Sequence, residues 1–216
     1  EVVKSKGRLA DLEQKMASVG KPEGICGIGH TRWATHGEPS DVNSHPHSSK
    51  NVSLVHNGII ENYLPLRQML ISEGYSFQSE TDTEVVVNLI DSFYHGDPLE
   101  AIREAVLRLE GSYALGIIFK DFSDRIYAVR KDSPLIIGLG REENFIASDI
   151  PAILGHTRDY YLLEEGEIAV LTRDQVEITD IYGNKVEKQV QTATWDLEAA
   201  QKGGYPHFML KEIYEQ

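Results

Sequence analysis

The run Asp97-Pro98-Leu99-Glu100-Ala101-Ile102-Arg103-Glu104-Ala105-Val106-Leu107-Arg108-Leu109-Glu110-Gly111-Ser112-Tyr113-Ala114-Leu115-Gly116-Ile117-Ile118-Phe119-Lys120 changes its hydrophobic period in mid-course. Asp97 is a helix N-cap, Pro98 suits the first helical position, and Glu100 is placed to reach back to the cap, so the spacing predicts a helix to about 109. From Ser112 onward the pattern is that of strands, beginning with 113–120, rich in β-branched and aromatic residues. Helices lie before this joint and strands after it.

Upstream, Thr81-Asp82-Thr83-Glu84 matches a second capping box, with Thr81 as N-cap and Glu84 reaching back, opening a helix that ends before Gly96. Before it come a strand over 52–56, a turn at Asn57-Gly58, and a helix over 61–72 closed by Gly74. Residues 24–30 read as a buried strand and the stretch to Lys50, with Pro39 and Pro46, as a long ordered loop of the functional kind. Residues 8–16 read as a short amphipathic helix carrying Leu9, Leu12 and Met16 on one face, and Val2 and Val3 as the end of a strand. Downstream, strands are expected over 125–130, 135–139, 144–148, 167–172, 176–182 and 185–189, with a short helix after Asp149. Turns such as Asp121-Phe122-Ser123-Asp124 and Tyr182-Gly183-Asn184 make these strands mostly antiparallel. Helices in one segment and a meander in another define an α+β layered fold rather than a doubly wound one. The domain is placed at 1–200. Residues 201–216, with Lys202-Gly203-Gly204-Tyr205-Pro206-His207, read as a hinge leading out of it.

The 216 residues are 41% hydrophobic, enough to bury a core. A net charge of -13 spread along the chain offers no footprint for a nucleic-acid backbone. No apolar run approaches a membrane span, and the first residues do not open like a signal peptide. One cysteine, Cys26, rules out an internal disulfide framework and fits a cytoplasmic setting; it reads as a small buried hydrophobe.

The densest polar stretch is His30-Thr31-Arg32-Trp33-Ala34-Thr35-His36-Gly37-Glu38-Pro39. It packs a planar cation, an aromatic plate, hydroxyls and imidazoles together, as a recognition site does. His30, His36, His45, His47 and His56 invite a metal hypothesis, but no familiar zinc spacing is present, and the bland alternative is an ordered loop whose imidazoles bond backbone groups. Asn57-Gly58 is either a tight turn or an oxyanion hole, with the Asn57 amide and the Gly58 N–H aimed at a developing alkoxide where any Cβ would crowd the substrate. Asp82 is either a carboxylate complementing a helix dipole or the holder of an ammonium group. Taken jointly, Arg32 on a carboxylate, Asp82 on an α-amine and Asn57/Gly58 on a carbonyl under attack describe glutamine.

Three motifs carry a resemblance: His30 to Pro39, then Val55-His56-Asn57-Gly58-Ile59-Ile60-Glu61-Asn62, then Ser79-Glu80-Thr81-Asp82-Thr83-Glu84. In this order the chain resembles the glutaminase domains of the glutamine–fructose-6-phosphate aminotransferase (glucosamine-6-phosphate synthase) family along its whole length. The resemblance implies a class II glutamine amidotransferase domain of the N-terminal-nucleophile hydrolase type, a four-layer αββα sandwich with two mostly antiparallel sheets between helical layers. It implies that Arg32 binds the glutamine α-carboxylate, with Thr35 and His36 lining the pocket, that Asp82 holds the α-ammonium, that Trp33 lies beside the ammonia path, and that Asn57 and Gly58 form the oxyanion hole. It also implies a downstream sugar-phosphate isomerase domain of the same polypeptide, a homodimer formed through that domain, glucosamine 6-phosphate as product, and no cofactor or metal.

The family's mature chain begins Cys-Gly-Ile, whose thiol attacks the amide while its own α-amine relays the proton. This sequence begins at Glu1 and also lacks the family's following Arg-Gly-Tyr-Asp-Ser-Ala-Gly loop, so on its own it is expected to be inactive. Cys26-Gly27-Ile28 imitates the missing start but lies too close to Arg32 in the chain to serve. The competing expectations are another class II amidotransferase, such as one making a phosphoribosylamine, a non-catalytic glutamine-binding module, and a metal-dependent hydrolase.

Overall fold

A computed structural model describes residues 1–32 and 36–194. In chain order they form α1 (Leu9–Val19), β1 (His47–Ser48), β2 (Val52–Ile60), α2 (Tyr63–Ser72), α3 (Asp82–Phe93), α4 (Pro98–Val106), β3 (Gly111–Phe119), β4 (Ile126–Lys131), β5 (Ile136–Leu139), β6 (Asn144–Ala147), β7 (Asp159–Leu162), β8 (Glu167–Leu171), β9 (Val176–Asp180) and β10 (Gln191–Thr192). Strands in the order β1-β2-β3-β4-β8-β9 make one sheet and β10-β7-β5-β6 a second, and every ladder between them is antiparallel. The expected α+β architecture with two antiparallel sheets is the one found.

Alternation along the central strands sorts side chains by size. Tyr113, Leu115, Ile117 and Phe119 of β3, with Tyr127 and Val129 of β4 and Ile168 of β8, turn to one side and join Val85, Val86, Leu89 and Ile90 of α3 in the larger core. Ala114, Ala128 and Ala169 turn to the other side and meet Ile137, Leu163 and Leu171 in a smaller core between the sheets. Gly116 belongs to that second face, where a Cβ would strike Ile146 Cδ1. Small residues on one face let the sheets approach, while large ones on the other reach the helices. Helix α3 lies on β2 between α2 and α4 and is buried from Asp82 to Asp91, taking polar residues such as Asp82, Glu84 and Asn88 into the interior with its valines and leucine.

Several expectations are corrected. β2 runs straight through Asn57-Gly58, which pair with Ala114 and Tyr113, so the dipeptide is not a turn. Its glycine is used within the strand, at φ 131, where a Cβ would land on the Ser112 carbonyl oxygen. Residues 24–30 are not a buried strand: Ile25 is 91% exposed, and Gly24, Gly27 and Gly29 give a ladder little to hold. Val2 and Val3 are likewise outside any strand. Helix α1 forms as expected but buries none of its residues. Residues 185–189 make only one bridge, Lys185 to Thr179, with the Val186 N–H donating to the Ile178 carbonyl, after a tight turn in which the Asp180 carboxylate accepts from the N–H groups of Tyr182 and Asn184. β7 escapes a pattern search because it does not alternate in burial, and β10 because it is two residues long. The hinge assigned to 201–216 lies outside the described residues.

Candidate functional site

Thr81 caps α3 by accepting from the Glu84 N–H, the first half of the expected capping box. The second half is altered: the Glu84 carboxylate reaches past Thr81 and accepts from Gln78 N, Ser79 N and Ser79 Oγ at 2.8, 2.6 and 2.6 Å. This fixes the entry to the helix and delivers Asp82, 3% exposed, against β2. Asp82 Oδ2 accepts from the Ile60 N–H at 2.9 Å. Its other oxygen has one long contact, from Thr83 Oγ1 at 3.5 Å, and faces His36 Nδ1 at 3.9 Å. That nitrogen is buried and has no hydrogen-bond partner among the described residues.

Arg32 sits at φ 44, a left-handed conformation rare outside glycine and of the strained kind found at functional sites. Its guanidinium donates to the carbonyl oxygens of His36 and Gly37 at 2.6 and 2.8 Å and of Glu38 at 3.2 Å, which secures the loop but engages only part of its five-donor fork. The Arg32 N–H donates to His30 Nδ1 at 2.8 Å, and His30 Nε2 meets Asn57 Oδ1 at 2.6 Å. The contacts close a ring: Asn57 to His30, His30 to Arg32, Arg32 to His36, His36 beside Asp82, Asp82 to Ile60, and Ile60 back along β2 to Asn57. The structure thus brings Arg32, His36, Asp82 and Asn57/Gly58 to one place, drawn from a loop, a helix and a strand.

The clustered histidines are held by hydroxyls as well as by the backbone groups expected, such as the Arg32 N–H on His30. Thr83 Oγ1 lies 3.1 Å from His45 Nε2 and 3.0 Å from His56 Nδ1, and Thr81 Oγ1 lies 3.0 Å from His47 Nε2. Burial is the main force lowering the pKa of each: His45 falls to about 2, also repelled by His30, and His47 to about 4, also repelled by Lys4. Burial lowers His56 and His30 as well. These rings are therefore neutral near pH 7. Among the described residues no three His, Cys, Asp or Glu side chains gather as a metal site would require.

Two sequence expectations change meaning here. The Cβ that Gly58 avoids would strike the neighbouring strand, so glycine is demanded by sheet pairing before any substrate is considered. Cys26 is half-buried rather than buried, and burial followed by Asp124 pushes its thiol pKa up, the opposite of nucleophile activation. It lines a cavity of about 970 Å³ with Met16, Ile28, His30, Arg32 and His45. Trp33 and Thr35 lie outside the described residues. Sequence reading considered His30 only as a possible metal ligand or loop histidine and passed over Thr83. The signal was the position of His30 two residues before Arg32, and the second hydroxyl of the Thr81-Asp82-Thr83 cap.

Two antiparallel sheets with helices packed against one of them are the fold of the class II, N-terminal-nucleophile glutamine amidotransferases. The chain belongs to the glutamine amidotransferase domain family, whose model matches residues 30–155. It is 58% identical over 217 residues to the glutamine–fructose-6-phosphate aminotransferase [isomerizing] of Caldanaerobacter subterraneus subsp. tengcongensis, covering 100% of this chain and 36% of that protein. It is 60% identical over 215 residues to the Clostridium perfringens protein of the same name, covering 99% of this chain and 35% of the other. The chain spans about a third of the length of these curated relatives. Among solved structures, glutamine phosphoribosylpyrophosphate amidotransferase from B. subtilis superposes with a TM-score of 0.60 and 28% identity over 72% of this chain and 35% of its own. No helix of the described residues is long and apolar enough to cross a membrane.

Proposed function

We propose that this domain binds L-glutamine in the ring around Asp82 and supplies ammonia to a downstream isomerase domain of the same polypeptide, a cytoplasmic homodimer that makes glucosamine 6-phosphate. The observation that carries the binding reading is the buried Asp82 carboxylate: one oxygen fixed by Ile60 N–H, the other facing a His36 nitrogen that has no partner among the described residues. A buried charge with one oxygen so lightly engaged is matched by a cation, and an α-ammonium supplies one.

In this reading the unengaged N–H groups of Arg32 take the α-carboxylate, and Trp33, Thr35 and His36 line the pocket. The side-chain carbonyl of glutamine lies against Asn57 Nδ2 and the Gly58 N–H. A thiolate attacks that carbonyl, the C–N bond breaks with a proton delivered to nitrogen, ammonia leaves, and water then cleaves the γ-glutamyl thioester to glutamate. The attacking N-terminal cysteine implied by the family is not among these residues, and Cys26 does not replace it. Identity of 58% to a sugar-phosphate aminotransferase, against 28% to a phosphoribosylpyrophosphate amidotransferase, supports the amino-sugar product.

Release of glutamate from L-glutamine by the polypeptide as its gene encodes it tests this. Asn57→Ala is expected to lower kcat by about 100- to 1,000-fold, the usual cost of one oxyanion donor, with a much smaller change in KM. An unchanged kcat would exclude Asn57 from the oxyanion hole.

A further inference from the structure

The Asn57 side chain is exposed on β2, and an amide offers an acceptor at one end and a donor at the other. Only the donor end stabilises an oxyanion, so something must decide which end faces the substrate. The decision begins at Arg32. Its backbone N–H can only donate, and it lies 2.8 Å from His30 Nδ1, so Nδ1 carries a lone pair. A neutral imidazole has a single N–H, which is therefore on Nε2. At 2.6 Å from Asn57, that N–H requires an acceptor, and Oδ1 is the only one the amide has. The Nδ2 donor is turned the other way and has no partner among the described residues. His30 is steadied in turn by the His45 ring, at 4.2 Å between centroids, and His45 by Thr83 Oγ1 of α3.

We propose that His30 is the positioning residue of the oxyanion hole: it donates from Nε2 to Asn57 Oδ1 and thereby presents Asn57 Nδ2 to the substrate carbonyl. The proposal rests on the oxyanion reading of Asn57 and adds a residue to it. In this arrangement His30 acts through Asn57 and not on the reacting atoms. Burial keeps its ring neutral, which preserves the lone pair that Arg32 needs.

Two substitutions divide the two ends of the ring. His30→Asn retains an acceptor near the Nδ1 position but is too short to reach Asn57, whereas His30→Gln retains a donor at about the reach of Nε2. In the gene-encoded polypeptide, His30→Asn should lower kcat for glutamine hydrolysis about 10- to 100-fold with KM changed less than threefold, and His30→Gln should recover most of the loss. Equal effects of the two variants, or a loss confined to KM and melting temperature, would assign His30 a merely structural role and overturn the proposal. Asn57→Ala in parallel separates the failures. If it leaves kcat intact, the oxyanion reading has failed; if it lowers kcat while His30→Asn does not, only the positioning role has failed. Nitrogen-15 NMR gives a readout free of catalysis: His30 is expected as the Nε2–H tautomer, and an Nδ1–H tautomer would contradict the proposal.

Discussion

The N-termini of α3 and α4 are written in similar local terms, a capping side chain followed by acids, yet one stays local and the other organises the molecule. At α4, Asp97 Oδ1 accepts from Leu99 N and Glu100 N at the surface, and the Glu100 carboxylate does not return to the cap. At α3, Thr81 reaches His47, Asp82 reaches Ile60, Thr83 reaches His45 and His56, and Glu84 reaches Ser79, all in the interior. Burial separates the two. An exposed cap exchanges protein partners for water, whereas a buried one must satisfy every polar group from the protein and so dictates where its neighbours lie.

The largest break in this comparison is expected from Glu84→Ala, which leaves the buried Ser79 N–H and hydroxyl without their acceptor and should cost roughly 3 kcal/mol of unfolding free energy in urea titration. Next comes acid. His47 titrates at about 4 when folded against 6.5 when unfolded, so below pH 6.5 the unfolded chain binds more protons and stability falls as pH drops, until the folded ring protonates near pH 4. Across that window the wild type should lose on the order of 3 kcal/mol more than His47→Gln, measured as the difference between their pH–stability curves. The smallest effect is Asp97→Ala, about 1 kcal/mol, the ordinary value of an exposed cap. If Asp97→Ala cost as much as Glu84→Ala, burial would not be what distinguishes the two termini.

Much of this was legible in the sequence because periodic elements announce themselves: α2, α3, α4 and the strands from β3 to β6 fall close to where pattern and capping residues put them. That Arg32, Asp82 and Asn57 belong to one place was legible too, since each residue type has few chemical uses. What was hidden is tertiary. Asn57-Gly58 has the composition of a turn, and only the pairing with β3 keeps it in a strand. The apolar stripe of α1 signals a helix but does not say what will cover it, and residues 24–30 form no ladder despite their apolar content. The route from Thr83 through His45 and His30 to Asn57 joins residues distant in sequence, and no local pattern encodes it.

The central claim is that Asp82 holds the α-ammonium of glutamine, and calorimetric titration of the gene-encoded polypeptide and its Asp82→Asn variant tests it most directly. The variant keeps an acceptor for the Ile60 N–H but loses the charge. L-Glutamine is expected to bind it about 10- to 100-fold more weakly than wild type, while glutaramate, which lacks the ammonium, binds both alike. L-Glutamine bound equally tightly by both proteins would contradict the account.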